Sequence, residues 1–288
     1  VMQLFVHAGL HKTATTAFQV LCHRNAQLLA EGGVLYTELT PGVPAHHCLP
    51  LALIGRDHDT LAQKLAELRE SAQVAGCDRV LVSAEDFENA LVETHLAGDF
   101  ENLAYAAGFQ SVDWLFVHRD PWRYFNSLYA ELSKHGIPVS IRSAGKQVLR
   151  FGTLSVASAR FQWKFVFDFA RHFSHFRANI RGNAHGLTYQ AFCQPRLGDP
   201  VFQIVFRDTP ETWRALAPRM AHPTGKRNAS LGGFRVEFNY VANFFMISNK
   251  APSLLFLWAF VPLALMRWLI VAILRRRLAR PFRDRFSD

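Results

Sequence analysis

The chain has 288 residues, half of them hydrophobic, which is enough to bury the core of one large α/β domain or two small ones and excludes a disordered tail. Its net charge of +9 and its isoelectric point of about 9.7 are typical of proteins that bind nucleic acid, an anionic membrane surface or a nucleotide with several phosphates. Much of the excess charge lies in the arginines between residues 275 and 285, so general nucleic-acid binding is not favoured and we expect no nucleic-acid partner.

A strand–loop–helix unit is predicted at residues 2–19. The apolar run 4–6 stops at Ala8 and Gly9, and the segment HKTATT at residues 11–16 begins a pattern of apolar residues with helical spacing. A lysine followed by hydroxyl residues at a helix N-terminus brings together free backbone N–H groups, the positive end of the helix dipole and a mobile ammonium. The unit therefore predicts a site for a phosphate or a sulfate.

The loop of this unit differs from the nucleotide-binding GxxxxGK[ST] sequence. That sequence needs Gly immediately before the lysine and again five residues earlier, where this chain has His11 and Val6. An ordinary ATP or GTP site is therefore not favoured. A simpler interpretation, a helix capped by Thr13 with Lys12 solvated, stays open at this point.

Residues 37–58 are predicted to form a long surface loop with one apolar turn at 49–54, after a short strand at 34–36. The run His46-His47-Cys48 looks like a metal cluster, but adjacent residues on an extended loop point in different directions. The four cysteines of the chain are scattered without a CxxC pair. We therefore expect no metal and no disulfide framework.

Helices and strands then alternate along the chain. They are predicted at residues 60–74 (helix), 79–83 (strand), 93–108 (helix), 112–117 (strand) and 122–134 (helix). Such alternation implies parallel strands with both faces of the sheet covered. The predicted fold class is a P-loop-like three-layer α/β/α domain with a central, mainly parallel sheet, followed by a C-terminal apolar helical segment.

Three of the predicted strands end at residues with charged side chains. Lys12 follows the first strand, Glu85 follows the strand at 79–83, and Arg119 follows the strand at 112–117. Because ligands of open α/β sheets bind beyond the carboxyl ends of the strands, we expect these three side chains to share one crevice.

The second half of the chain is less regular. We predict a basic loop at 136–153, a long helix dense in aromatic residues at 155–176, a last strand at 185–189, short helices at 199–207 and 210–220, and a basic loop at 226–232. The aromatic residues of the long helix are more typical of a core than of a platform on which an acceptor stacks.

An apolar segment at residues 252–274 precedes the C-terminal arginines. It is long enough to span a bilayer with some tilt, but Arg267 near its middle and two prolines weigh against a simple span. A membrane-surface anchor through residues 252–285 and a helix buried on the domain or in an oligomer interface both stay open. We expect a main domain at 1–248 and a C-terminal segment at 249–288. Because no signal peptide is visible, we also expect a cytoplasmic location, with attachment to the cytoplasmic face of the membrane as an alternative.

Taken together, the HKTATT segment, Arg119 and Ser127 resemble the PAPS-dependent sulfotransferase family, in particular its bacterial carbohydrate-type members. The family has a strand–loop–helix with a Lys-Thr core, and an Arg at a strand end followed eight positions later by a Ser, the spacing of Arg119 and Ser127. The resemblance covers residues 3–35 and 79–135, and the loop at 226–231 only loosely. It implies that PAPS (3′-phosphoadenosine 5′-phosphosulfate) is the cofactor, with adenosine 3′,5′-bisphosphate as its product.

The resemblance also implies roles for individual residues. The 5′-phosphosulfate would lie against the first loop, the 3′-phosphate would be held by the Arg and the Ser, and a basic loop would add further contacts. The implied cofactor-binding residues are His11, Lys12, Thr13, Ala14, Thr15, Thr16, Arg119, Ser127, Lys226, Arg227 and Asn228.

Sulfuryl transfer to a hydroxyl needs a cation at the leaving phosphate and a base at the acceptor. Lys12 is suited to the first role, and by resemblance to glycan sulfotransferases Glu85 takes the second, with Asp86, His11 and His118 as substitutes. The expected activity is transfer to a saccharide or a glycolipid at a membrane surface.

Two other functions stay open. One is a divergent P-loop kinase or nucleotide hydrolase, against which the absence of an apolar run ending in Asp of the Walker B type already counts. The other is a membrane-associated binding protein without turnover.

Overall fold

A computed structural model describes the backbone at residues 1–135, 137, 139–157, 162–222, 236–239, 241 and 254–286, and side chains throughout these ranges except at 254–260. The chain forms two compact units. One combines Val1–Arg119 with Trp163–Gly225, and the other combines Asp120–Gln162 with Lys226–Asp288. The domain boundary predicted near residue 248 lies outside the described residues.

The first unit is built on a five-stranded parallel sheet. The strands of the described chain are β1 (Gln3–His7), β2 (Val34–Leu35), β3 (Arg79–Ser83), β4 (Ser111–His118), β5 (Thr153–Ala157), β6 (Gln162–Val166) and β7 (Asn183–Thr188). The sheet has the order β2-β3-β1-β4-β7, and every neighbouring pair is parallel. The predicted parallel sheet is confirmed.

Helices connect these strands along the chain. They are α1 (Thr15–Arg24), α2 (Ala26–Glu31), α3 (Cys48–Ile54), α4 (His58–Val74), α5 (Thr94–Ala106), α6 (Pro121–Lys134), α7 (Ile141–Phe151), α8 (Phe169–Asn179), α9 (Tyr189–Cys193), α10 (Asp199–Val205), α11 (Pro210–Leu216) and α12 (Leu254–Phe286), with 3-10 helices at Glu85–Leu91 and Ala217–Arg219. The helices predicted at 60–74, 93–108 and 122–134 are confirmed within two residues at each end.

Apolar residues cover both faces of the sheet, which gives the three layers of the predicted α/β/α fold. On β4, Leu115 packs with Phe18 of α1 and Phe202 of α10 in one core cluster. The neighbouring Trp114 points to the opposite face and contacts Phe100 of α5 at a ring-centroid distance of 5.2 Å. Strands buried on both faces read as continuous apolar runs, which is why β1, β3 and β4 were recognisable in the sequence.

The long aromatic helix predicted at 155–176 is wrong. Residues 153–157 and 162–166 are strands, and α8 begins only at Phe169, where the Asp168 side chain accepts a hydrogen bond from Arg171 N at 3.4 Å. Alternation of polar and apolar residues in both strands favours β structure over the helix that aromatic content suggested.

The basic loop predicted at 136–153 is also wrong, because residues 141–151 form α7. Ser140 caps this helix and Gly152, with φ of 73°, ends it. The buried residues Ile141, Ala144 and Val148 follow one helical face that the interspersed basic residues obscured. Likewise, the apolar turn within the predicted loop 37–58 is the helix α3.

The second unit contains the continuous helix α12, which includes residues 254–274 of the predicted apolar segment, while residues 252 and 253 lie outside the described residues. Arg267 donates from Nε to Glu237 Oε2 at 2.8 Å and from Nη2 to Tyr129 Oη at 2.9 Å. Further along, Phe282 contacts Trp122 and Phe125 of α6 at centroid distances of 5.2 and 5.0 Å. Within the residues that the structure describes, no helix has both the length and the apolar character that crossing a membrane requires.

Candidate active site

The loop that follows β1 runs along β4. Ala8 N donates to Leu115 O at 2.9 Å, and Leu10 N donates to Val117 O at 3.0 Å. These bonds continue the pairing of β1 with β4 beyond the end of β1. The next residues of the loop therefore start at the carboxyl edge of the sheet, where the sequence predicted a ligand.

Two residues of this loop have a left-handed backbone. Lys12 has φ of 64° and Ala14 has φ of 65°, a conformation that costs a residue with a Cβ about 1 kcal/mol or more. Concave turns that contain left-handed residues direct successive N–H groups to one side and bind anions. The strain is therefore consistent with a loop shaped for an anion and held by its neighbours.

The N-terminus of α1 lacks a side-chain cap among the described residues. Ala14 is the N-cap residue, and its methyl group accepts no hydrogen bond. The N-cap position is Ala14 and not Thr13, whose hydroxyl donates to Leu10 O, so the predicted cap by Thr13 is wrong. Thr15 is buried and Thr16 is exposed. Uncapped N–H groups in the first turn suit an anionic ligand.

Arg119, at the end of β4, contacts the lysine of the loop. Its Nη1 donates to Lys12 O at 3.2 Å, and its guanidinium lies 4.8 Å from the ring centroid of Tyr189 in α9. Its buried Nε has no hydrogen-bond partner among the described residues. Buried donors normally have an acceptor, so this nitrogen is consistent with a phosphate oxygen as its partner.

A buried carboxylate fixes the start of the loop. Glu88 Oε2 accepts from His11 N at 3.0 Å and lies 2.8 Å from His11 Nδ1, while Glu88 Oε1 accepts from Val166 N at 2.6 Å. Burial opposes the charged form of His11, but its bonds to Asp86 and Glu88 prevail and raise the pKa of His11 to about 10. His11 is therefore a cation at neutral pH, and it ties the loop to the 3-10 helix Glu85–Leu91.

Asp86 connects this imidazolium to a second histidine. Its Oδ1 lies 3.5 Å from His11 Nε2, and its Oδ2 lies 2.6 Å from His47 Nδ1. Burial works against the charged carboxylate, but the two histidines lower the pKa of Asp86 well below its ordinary range. The hydrogen bond that the Asp86 carboxylate accepts from His47 in turn raises the pKa of His47, whose side chain is 37% exposed. A carboxylate that orients a solvent-facing imidazole is a common arrangement for proton transfer.

His46 anchors the segment that carries His47. Its Nδ1 accepts from Ser83 N at 3.1 Å, and its Nε2 donates to Thr37 O at 2.9 Å. Burial lowers the pKa of His46 to about 4, so it is neutral and structural. The run His46-His47-Cys48 is thus an ordered segment in which two adjacent histidines have different partners. In the part of the chain that the structure describes, no group of three or more His, Cys, Asp or Glu side chains is arranged to hold a metal ion.

Glu85, the predicted base, lies beside the same cluster. Its Oε2 accepts a hydrogen bond at 3.1 Å from Nε2 of Gln19, a buried residue of α1. Its charge contributes to raising the pKa of His47. The structure therefore brings Lys12, Arg119, Glu85 and the His47–Asp86 pair into the first unit, around the carboxyl ends of β1, β3 and β4.

The remaining predicted site residues are Ser127, His118, Lys226, Arg227 and Asn228. Ser127 is a half-buried residue of α6, which belongs to the second unit. The imidazole ring of His118 stacks on the ring of Phe169 at a centroid distance of 4.1 Å, so it has a packing role. Lys226, Arg227 and Asn228 lie outside the described residues.

The contacts of His47 and Glu88 were not evident from the sequence. His47 was noticed only as part of an apparent metal cluster, and its partner is 39 positions away along the chain. Glu88 lies three positions after Glu85, a spacing that puts both carboxylates near one side of a 3-10 helix and was the available signal.

Comparisons with known proteins find similarity among solved structures. No family model matches the chain, and no curated protein matches it. Among solved structures, the chain is similar to the crystal structure of a sulfotransferase from Alicyclobacillus acidocaldarius, with 16% sequence identity and a TM-score of 0.40 over 86% of this chain and 96% of that chain. A similarity at this level assigns no function to the chain.

Proposed function

We propose that the protein is a sulfotransferase that moves a sulfuryl group from PAPS to a hydroxyl of a saccharide or a glycolipid. The observation that carries this proposal is the contact between Arg119 and the backbone of Lys12 beside the uncapped N-terminus of α1. Two cationic residues and a set of backbone donors at one sheet edge suit a nucleotide with phosphates at both ends.

The residues at this edge fit the chemistry of the cofactor. Lys12 and the first turn of α1 would hold the 5′-phosphosulfate, and the buried Nε of Arg119 is a donor that a phosphate oxygen would satisfy. Ser127, Lys226, Arg227 and Asn228 stay predictions from the sequence as further contacts. When bound, PAPS supplies the sulfuryl group on a good leaving group.

In this proposal the protein contributes charge and a proton acceptor. Lys12 stabilises negative charge on the leaving phosphate, which is the larger of the two effects in related group transfers. Glu85 accepts the proton of the acceptor hydroxyl as general base, and the solvent-facing His47, oriented by Asp86, is the competing group that the geometry adds. A glycolipid acceptor would bring the reaction to a membrane surface.

Ligand preference separates this function from an ATP-dependent one. We expect saturating adenosine 3′,5′-bisphosphate to raise the melting temperature by roughly 5–10 °C, because a ligand held at 100 times its Kd stabilises the native state by about 2.7 kcal/mol. We expect ATP with Mg²⁺ to shift it much less, since His11 stands where a P-loop has Gly. Differential scanning fluorimetry measures both shifts, with Arg119→Ala as the variant that should lose the bisphosphate shift. A larger shift with ATP would favour a kinase or a hydrolase.

Paired variants identify the base. Glu85→Gln is expected to lower kcat by about 10²–10⁴-fold, the usual contribution of a general base, while bisphosphate binding is retained. His47→Gln is the matched variant, because it removes the competing proton acceptor and leaves Glu85 in place. Transfer of radiolabelled sulfate from PAPS to polysaccharide and lipid extracts measures turnover. Normal turnover by Glu85→Gln together with loss in His47→Gln would move the role to His47, and no turnover by the unmodified protein would favour a binding protein.

A further inference from the structure

The N-terminal half of α12 carries a concentration of exposed apolar side chains. Elsewhere in the described residues, large hydrophobic side chains that are exposed occur singly, at Val1, Val74 and Phe151. On α12 they follow one another within a few turns: Val261, Leu263, Leu265, Met266, Trp268, Leu269, Ile270 and Ile273 are between 38% and 55% exposed. Scattered exposed hydrophobic residues need no explanation, but a contiguous patch indicates an interaction surface.

Four residues of the patch lie on one side of the helix. Met266, Leu269, Ile270 and Ile273 recur at helical spacing and share one face. The opposite face is used within the protein, since Ala264 and Val271 are buried there and Arg267 pairs with Glu237. The exposed face is thus distinct from the face by which α12 packs.

Along the same face, the helix changes from apolar to cationic. Arg276, Arg277, Arg280 and Arg283 continue the spacing that begins at Ile273, and all four are exposed. The packed side of this half is again separate, because Phe282 contacts α6 and Leu278 lies against Gly145 of α7.

The charge of this half is strongly positive. Residues 275–285 contain six arginines and one aspartate, a net charge of +5. The aspartate, Asp284, lies 3.7 Å from Arg280 in a highly exposed pair, which neutralises little of it. An apolar half followed by a cationic half on one exposed face combines the two attractions that hold helices on anionic bilayers, burial of apolar side chains and the charge of clustered arginines.

We propose that this face of α12, defined by Met266, Leu269, Ile270, Ile273 and the exposed arginines after them, docks on an anionic membrane surface. The apolar side chains enter the boundary between headgroups and acyl chains, and the arginines contact the lipid phosphates. A second copy of the protein covering this face would bring arginines against arginines if the helices were parallel, and arginines against the apolar half if they were antiparallel. A nucleic-acid backbone would leave the apolar half uncovered. Only an anionic lipid surface complements both halves.

Vesicle sedimentation tests this docking with the full chain. We expect the protein to sediment with vesicles of phosphatidylcholine and phosphatidylglycerol, to remain in the supernatant with phosphatidylcholine alone, and to be released by high salt. Arg276→Glu with Arg280→Glu is expected to weaken partitioning by at least about tenfold, and Ile270→Asp by a similar factor. Val74→Asp, at an exposed hydrophobic residue of α4, is the matched control and should leave partitioning unchanged.

Two further measurements keep the outcome clear. Leu269→Trp places an indole on the proposed face, so brominated lipids should quench the fluorescence of this variant more strongly than that of the unmodified protein. Sedimentation of the protein with vesicles made of phosphatidylcholine alone would overturn the proposal, and so would the absence of sedimentation with either kind of vesicle. So would a dimer that Ile270→Asp dissociates and that does not bind vesicles, because a second copy would then cover the face. Bisphosphate binding is measured independently, so failure of the docking leaves the proposed enzymatic function standing.

Discussion

Lys12→Ala is expected to lower kcat for sulfate transfer by at least about 10²–10³-fold. Removing one preorganised donor from a site where charge develops has effects of this size, and Lys12 is the ammonium of the loop proposed to bind the phosphosulfate. The melting temperature should change little, since the left-handed backbone at this position accepts alanine no worse than lysine.

The control for this variant is Lys64→Ala. Lys64 pairs with Glu67 on the surface of α4 at 2.8 Å, and the loss of such a pair has little effect on stability or turnover. Lys12→Arg separates the effect of charge on kcat from the effect of side-chain shape, because arginine keeps the positive charge and replaces the compact ammonium by a planar guanidinium. Turnover of Lys12→Ala within a factor of a few of the unmodified protein would remove the lysine from the mechanism.

Glu88→Gln is expected to lower the free energy of unfolding by about 3 kcal/mol at pH 7, because it removes the charge of a buried carboxylate that pairs with the partly buried His11 imidazolium. The melting temperature should fall by roughly 5–10 °C. Urea unfolding with both proteins measures the difference, and Glu67→Gln, in an exposed pair, is the matched control with an expected change below about 0.5 kcal/mol.

The pH dependence of this difference tests its cause. The pKa of His11 is raised from 6.5 in the unfolded chain to about 10 in the folded protein. The charged His11 therefore stabilises the folded protein fully below about pH 6.5, and this stabilisation is lost as the pH rises through about 10. The difference in the free energy of unfolding between the unmodified protein and Glu88→Gln should therefore become smaller between pH 7 and pH 10.5. A gap that stays constant over this range would show that His11 is not the charged partner.

The sequence was sufficient where the signal was local. The unit β1–loop–α1 and the parallel sheet follow from short apolar runs, helical spacing and the glycines between them, and each of these is visible within about twenty residues. The N-cap Asp120 and Pro121 at the start of α6 are signals of the same kind, and the Asp120 side chain accepts from Arg123 N at 2.8 Å.

The rest depended on contacts between distant residues. His11 and Glu88 are 77 positions apart and His47 and Asp86 are 39 apart, so no window of the sequence contains both partners. The error at residues 155–176 had another origin: aromatic residues pack equally well on a helix or a strand, and their number outweighed the alternation that marks β5 and β6.

The contacts that hold the loop at residues 11–16 determine whether this loop can be grafted onto another protein. Its strained residues, Lys12 and Ala14, depend on a carboxylate from the 3-10 helix, on carbonyl groups of β4 and on the guanidinium that follows β4. The segment HKTATT grafted alone onto another parallel sheet would relax to an ordinary helix start, since none of these supports travels with it. A graft that keeps the conformation of the loop would need at least three separate pieces of the chain: the loop itself, the 3-10 helix and β4 with the arginine that follows it. Exchange of this loop between related proteins should therefore succeed only if these pieces are exchanged with it.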